Sequence, residues 1–223
     1  MAAPALQRDR ERNPDRTREE ILRAAEVLFA EQGYEATSLS DVGRAAGVSR
    51  ATPGYFFGSK LELYRAVLDR SFEEVRDAVR QGRARARRAA RDPEVVLAGV
   101  VSDYFDFVAA RPNFVRLIQR EALSDAPNLQ GVSLGPAAGR EMVAALAEEL
   151  ELDRTEAGDV AQLLFSLIAL TWFPLLHGHT LGRVVGLDPS APGFLEARKR
   201  HVTELLVAWL RARRAGVPSL PSA

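Results

Sequence analysis

Apolar residues recur along this chain at three- and four-residue intervals, and nowhere do they alternate over a strand's length. From Thr17 the pattern sets Ile21, Ala24, Ala25, Leu28 and Phe29 at helical spacing, with Thr17 and Glu20 as a capping box at the start and Gln32-Gly33 at the end. A shorter pattern, Leu39, Val42 and Ala46, starts at Ser38 and stops at Gly47, since glycine takes the left-handed conformation at least cost. Val48 returns to the core, and Ser49 is placed to cap a third helix through its hydroxyl. Ser59-Lys60-Leu61-Glu62 is a second capping box, opening a long helix through Leu63, Ala66, Val67 and Arg70 towards Gly82. Asp92-Pro93-Glu94 then supplies cap, proline and dipole-matched acid in order. Further helices are predicted over Val95–Ala110, Pro112–Leu123, Pro136–Leu150, Thr155 to about Leu181, and Pro192–Arg214. The Pro/Gly-rich pieces Ser124–Gly135 and Gly186–Gly193 are loops, there is no internal repeat, and the expected fold class is all-α with about nine helices.

The stretch Thr37–Lys60 carries the most chemistry. Two short helices joined by a tight turn form a helix-turn-helix, with Ala45 small enough for the helices to cross closely. On the second helix a 100° wheel turns Pro53 and Phe57 inward and Ala51, Thr52, Gly54 and Tyr55 outward, with Arg50 at the N-terminal tip. That outward set suits a DNA groove: Arg50 can fork onto guanine, the Thr52 methyl can meet a thymine methyl, and Tyr55 can bond phosphate. Pro53 lies near the first turn, where a missing amide costs least, and Gly54 lets backbone approach a duplex. The amides at Ser59 together with Lys60 suit a DNA phosphate. Candidate DNA-binding residues are therefore Thr37, Ser38, Ser49, Arg50, Ala51, Thr52, Gly54, Tyr55 and Lys60.

The order TREEILRAAEVLFAEQGYEATSLSDVGRAAGVSRATPGYFFGSKLELYRAVL, from Thr17 to Leu68, resembles the DNA-binding domain of the tetracycline-repressor (TetR) family of bacterial regulators. The shared features are a first helix, Gly-Tyr, Thr-Ser, Ala-Gly-Val-Ser, an aromatic cluster and a Gly-Ser-Lys helix start. The reader departs from the family's common Leu-Tyr-Tyr-His-Phe, having Pro53-Gly54-Tyr55-Phe56-Phe57, so an aromatic and a histidine contact are missing at Gly54 and Phe56. The resemblance implies an all-helical homodimer whose C-terminal part binds a small effector and thereby releases DNA. The C-terminal part matches only in general layout.

Composition narrows the alternatives. Lys+Arg and Asp+Glu balance at 30 each, which argues against indiscriminate nucleic-acid coating and leaves room for a basic patch on one small face. The chain has 223 residues and no cysteine, so disulfides, cysteine-ligated zinc and a cysteine nucleophile are absent, in keeping with a reducing cytoplasm. The N-terminal MAAPALQRDRERNPD lacks the apolar core of a signal peptide. The longest apolar run, Leu163–Leu176, is shorter than the roughly 18 to 20 residues of a membrane span and contains Pro174, so it reads as a buried helix and no membrane contact is expected. Residues 1–15 read as a flexible arm: Arg8, Arg10 and Arg12 can enter a minor groove, while the interleaved Asp9 and Glu11 favour a solvated tail. Residues 16–62 form the DNA-binding domain and 63–223 the effector-binding and dimerisation domain. The basic run Arg83–Arg91 suggests a nucleic-acid patch, but its distance along the chain from the reader favours a solvated helix face.

Candidate ligand-binding residues are Tyr104, Phe107, Val108, Phe114, Leu117, Glu121, Phe165, Trp172, Phe173 and His177, aromatic or apolar positions with a few polar groups among them. Plain core packing is the competing reading for each. The stripe Val202, Leu205, Leu206, Trp209 and Leu210 on the last helix, with the Thr155–Leu181 helix, suits a four-helix dimer interface that presents two readers to a palindromic operator. Enzyme signatures fail. Gly131-Val132-Ser133-Leu134-Gly135 lacks the strand a nucleophile elbow needs, His177 and His179 point to different helix faces with His201 remote, and no phosphate-binding glycine pattern occurs. The expectation is a cytoplasmic dimeric regulator, a repressor more readily than an activator or an architectural DNA binder, with no cofactor, metal or catalytic activity. A helical ligand-binding protein that has repurposed the fold is the other class.

Overall fold

The computed structural model describes residues 13–89, 92–123, 136–152 and 157–216, and among these every regular element is a helix. The elements are α1 (Pro14–Gln32), α2 (Leu39–Ala45), α3 (Thr52–Phe57), α4 (Lys60–Ala89), α5 (Pro93–Ala109), α6 (Pro112–Leu123), α7 (Pro136–Glu149), α8 (Ala157–His177), continued by a π-helical turn (Gly178–Gly182), and α9 (Phe194–Arg214). They divide into two compact units. The first takes the chain up to Glu73 and a segment beginning at Asn113; the second takes Glu74–Pro112 and the chain after Leu134. The grouping departs from a simple cut at residue 62, because α6 belongs with the N-terminal helices. The serine motif and loop before α7 and the Arg8–Arg12 arm lie outside the described residues.

In the first unit, α1 starts at Pro14, ahead of the cap its apolar pattern suggests. The Asn13 side chain accepts from the Arg16 amide at 3.1 Å and Pro14 takes the first turn, so this cap displaces Thr17 and Glu20. Thr17 is buried inside the helix, and Glu20 pairs with Arg16 at 3.1 Å. Ile21, Leu22, Ala25 and Phe29 are buried, as are Leu63, Tyr64, Val67 and Leu68 of α4. Phe29 meets Tyr64 edge-on at 4.8 Å, and Tyr34 lies 5.1 Å from the same ring. The Tyr64 hydroxyl donates to Glu121 of α6 at 2.7 Å, inside the core. Arg120, beside it on α6, donates to the carbonyls of Ala30 and Glu31 at 3.0 and 2.8 Å, closing the C-terminal end of α1 where helix carbonyls lack partners. Arg70 ties α4 back to Glu19 and Glu26 of α1.

The crossing of α2 and α3 is set by Gly43. A Cβ built there would stand 2.8 Å from the Ser49 carbonyl oxygen and 3.1 Å from the Arg50 Cα, both backbone atoms that cannot swing away. Ala45, the small residue expected at the crossing, is exposed. Val48 is half-buried and its amide donates to the Gly43 carbonyl at 2.9 Å, while Gly47 takes φ +67° to make the turn.

In the second unit α5 packs chiefly on α9, and α8 touches α5, α7 and α9. The core is Val96, Leu97, Val100, Val101, Phe105 and Val108 of α5, Val160, Leu163 and Leu167 of α8, and Val202, Leu206 and Leu210 of α9. Helix α4 does not stop near Gly82. That glycine is interior, and a Cβ on it would meet the Asp103 carboxylate at 2.7 Å. The basic run beyond it is engaged with carboxylates, not merely solvated. Arg83 forks onto Glu149 with two 2.8 Å bonds, Arg87 reaches the same carboxylate at 3.2 Å, and Arg85 pairs with Asp103 at 2.7 Å. Asp159–Gly182 is long and apolar enough to cross a membrane by length and composition alone. The run Leu163–Leu176 is extended by Val160 and Ala161 before it and by Gly178, Thr180, Leu181 and Gly182 after it.

Two measurements probe this packing. Gly43→Ala is expected to destabilise the first unit by about 1–3 kcal/mol, because backbone must move to admit the methyl; Ala45→Ser in the same denaturation experiment should shift stability by under about 0.5 kcal/mol. Burial first, and the Glu121 carboxylate second, push the Tyr64 phenol well above its ordinary value of 10.0. The fold therefore keeps a proton that the unfolded chain releases, so this contribution is complete below about pH 10 and is lost as pH rises beyond it. Urea midpoints taken across about pH 9 to 11.5 should fall more steeply for the wild type than for Tyr64→Phe.

Candidate nucleic-acid interface

Helix α2 is started by Ser38, whose hydroxyl accepts from the Asp41 amide at 3.1 Å and donates to the Asp41 carboxylate at 2.5 Å. That donation, with Arg44 also adjacent, holds the Asp41 carboxyl below its ordinary 3.8. The Ser38 hydroxyl is thus committed, though exposed. The turn runs on past Ser49, so α3 begins at Thr52 and not directly after Ser49. Ser49 does not cap an α3 amide through its side chain; its carbonyl accepts from the Thr52 amide at 3.0 Å and its hydroxyl lies 2.7 Å from the Thr52 hydroxyl. The extra turn over Ser49–Thr52 puts the hydroxyl beside another side chain, out of line with the helix amides.

On α3 the wheel largely holds. Pro53 is buried and Tyr55 projects with 87% of its surface exposed, its ring edge-on to Phe56 at 5.5 Å. Arg50 and Ala51 are exposed, and Thr52 and Gly54 are half-buried. A Cβ on Gly54 would make ordinary contact with Leu39 at 3.8 Å, so this glycine looks partly back towards α2. Phe57 is half-buried under the Arg18 guanidinium, 4.9 Å from the ring centroid. Arg18 is exposed and adds a cation that sequence reasoning does not pick out. Its only signal in the sequence is a positive charge three residues before Ile21 of the buried face.

Two expected contacts need correction. Thr37 is 1% exposed, and its hydroxyl donates to the Gly33 carbonyl at 2.8 Å, so its side chain is a structural tie with no face to offer DNA. Lys60 donates to the carbonyls of Tyr34 and Glu35 at 2.9 and 3.3 Å and sits 4.3 Å over the Tyr34 ring. An ammonium has three donors, so one remains for an outside acceptor. Ser59 caps α4, its hydroxyl accepting from the Glu62 amide at 3.1 Å, but the box is not reciprocal: the Ser59 amide bonds the Phe57 carbonyl and Glu62 turns to Arg65.

The ten expected ligand residues divide between the two units. Phe114, Leu117 and Glu121 are core of the first unit, Phe114 packing edge-on against Phe72 at 5.7 Å. In the second unit Val108 is buried, and the Tyr104 hydroxyl accepts from the Trp172 ring nitrogen at 2.9 Å. Burial drives the Tyr104 phenol well above 10.0. Phe107 lies under the Arg111 guanidinium at 3.9 Å. Phe165 and Phe173 face outward, 70% and 52% exposed, because the buried side of α8 runs through Val160, Leu163, Leu167 and Thr171. An all-apolar helix gives no periodicity from which to choose its inner face. His177 lies tilted against Phe173, ring centroids 4.8 Å apart, and both line a cavity of about 260 Å³ with Leu181, Leu187, Phe194 and Arg198. The α9 stripe divides similarly: Val202, Leu206 and Leu210 are buried, Trp209 is half-buried and Leu205 faces out.

A family profile described as bacterial regulatory proteins, tetR family, matches residues 21–67, and the Tetracyclin repressor-like C-terminal domain matches residues 93–206. The HTH-type transcriptional activator FasR of Mycolicibacterium smegmatis is 36% identical over 104 residues, 47% of this chain and 46% of its own. The HTH-type transcriptional repressor NicS of Pseudomonas putida is 31% identical over 114 residues, 51% of this chain and 52% of its own. The chain thus spans about half the length of these curated relatives. The crystal structure of SCO4942 from Streptomyces coelicolor shares the fold, with a TM-score of 0.65 and 23% identity over 86% of this chain and 97% of that one. The two profiles together cover well over half the sequence, in the order the helix-turn-helix and the second unit occupy. The chain belongs to the TetR family of DNA-binding transcriptional regulators.

Proposed function

We propose that this chain is a ligand-responsive transcriptional regulator, a repressor in its simplest form, that binds a palindromic operator as a homodimer in the cytoplasm. The observation that carries the reading is Tyr55, a large aromatic at 87% exposure on a helix whose other side is locked by Pro53 and Gly43. An exposed tyrosine on a short helix, with Arg50 exposed in the turn before it, suits phosphate and base-edge contact. Ser38, Ser49, Ala51, Thr52 and Gly54 complete the face, Lys60 offers its remaining donor, and Arg18 adds a cation. Thr37 acts only by holding the turn.

Dimerisation is supported by the outward apolar side chains of α8 and α9, Phe165 and Leu205. Burying them against a second copy removes apolar surface from water and presents two readers to two half-sites. The apolar length of α8 ahead of Phe173 is read as part of this interface. An effector held by the second unit would favour one of two reader spacings, lowering operator affinity by as much as its differential binding allows. FasR carries the name activator and NicS repressor, so an activator is the second reading.

Fluorescence anisotropy on an operator duplex tests the reader. Tyr55→Ala and Arg50→Ala are each expected to weaken binding by about fivefold to a hundredfold, roughly 1–3 kcal/mol, with the dimer and thermal stability unchanged. Unaltered affinity in both variants would remove α3 as the reader. A promoter-reporter assay with and without the chain decides between repression and activation.

A further inference from the structure

The end of α8 is built unlike the rest of the bundle. Pro174 lies inside the helix, and from Gly178 to Gly182 the backbone widens into a π-helical turn, a feature frequent at functional sites. Gly178 is buried, and a Cβ there would stand 3.0 Å from Pro189, so its bare backbone lets the returning loop close over the turn. Between this turn, the loop and the start of α9 lies the cavity of about 260 Å³. Its walls are mainly apolar: Phe173, Pro174, Leu181, Val185, Leu187 and Phe194.

Arg198 is the charged group in that lining. Its Nε is buried without a hydrogen-bond partner. Among the described residues no carboxylate lies within ion-pair distance of it, whereas Lys199, Arg211, Arg213 and Arg214 on the same helix each have one. Desolvation also pulls the Arg198 guanidinium below its ordinary value, yet an arginine stays charged at neutral pH. A partly desolvated guanidinium lacking an anion is best satisfied by a planar carboxylate, whose two oxygens match its fork. The apolar walls call for hydrocarbon. The volume lies just below the roughly 300 to 1,000 Å³ of drug-sized sites, which limits the chain to short or medium length. A single guanidinium fits one negative charge better than a phosphate dianion.

We propose that the cavity between the π-turn of α8 and the start of α9 binds a short- or medium-chain monocarboxylic acid, with its carboxylate on Arg198 and its hydrocarbon between Phe173, Leu181 and Phe194. This names a ligand class for the effector reading above, and only its regulatory consequence rests on that reading.

Calorimetry on the full chain with octanoate, 1-octanol and octylamine tests it. Octanoate is expected to bind at least about tenfold more tightly than octanol, with octylamine weakest. Arg198→Met keeps the apolar stem and should bring octanoate down to the affinity of octanol. Arg198→Lys, which keeps the charge without the fork, should fall between and serves if the methionine variant does not fold. Equal binding of octanoate and octanol by the wild type, no octanoate binding at millimolar concentration, or full octanoate affinity in Arg198→Met would each overturn the proposal. Operator anisotropy separates the two readings. Octanoate bound through Arg198 with operator affinity unchanged supports the site and denies it the effector role. Another compound that releases operator from both wild type and Arg198→Met, with octanoate failing to bind, overturns the site and leaves the effector reading standing.

Discussion

The close approach of two backbones at Gly43 governs the DNA-reading part of this molecule. With 2.8 Å between a would-be Cβ and the Ser49 carbonyl, the turn after α2 can sit against the helix only because nothing projects there. That contact sets where the chain emerges at Ser49 and hence the direction in which α3 leaves. Pro53 then faces inward and Tyr55 outward as a consequence of direction, since a six-residue helix is too short to stand by its own propensity.

Much of this architecture is legible from residue order. Gly33 and Gly47 follow the ends of α1 and α2 as expected, Ser38, Ser59 and Asp92 supply caps, and α6 runs over the predicted Pro112–Leu123. Local rules suffice for such features because capping and left-handed turns depend on a few neighbouring atoms. What residue order does not carry is long-range. That Gly43 and not Ala45 lies at the crossing depends on which face of α2 meets the turn. That Lys60 is held by Tyr34 and Glu35 depends on contacts across 26 and 25 positions. The apolar helix α8 offers no polar face from which to infer its inner side, so the aromatic stripe divides, with Phe165 on the outside and Phe173, half exposed, at the edge of the cavity.

Charged side chains cross-link helices in both units. In the first, α1 and α4 are joined by Arg70, while Arg120 turns its donors to helix carbonyls. In the second, the arginine run on α4 and the cations of α9 are matched to carboxylates of other helices, consistent with a chain whose formal charges cancel. The cancellation leaves local surfaces of either sign possible, so whole-chain neutrality says little about the face around Arg50.

The two α6 side chains that complete the first unit, Arg120 and Glu121, come late in the chain, Glu121 standing 57 positions after the Tyr64 it accepts from. A ribosome makes the helix-turn-helix well before it makes the segment that seals α1 and satisfies the Tyr64 hydroxyl. During synthesis the N-terminal helices must therefore wait, partly unsealed, until α6 has emerged, and their final closure is a late event in a chain that is otherwise free to fold from its beginning.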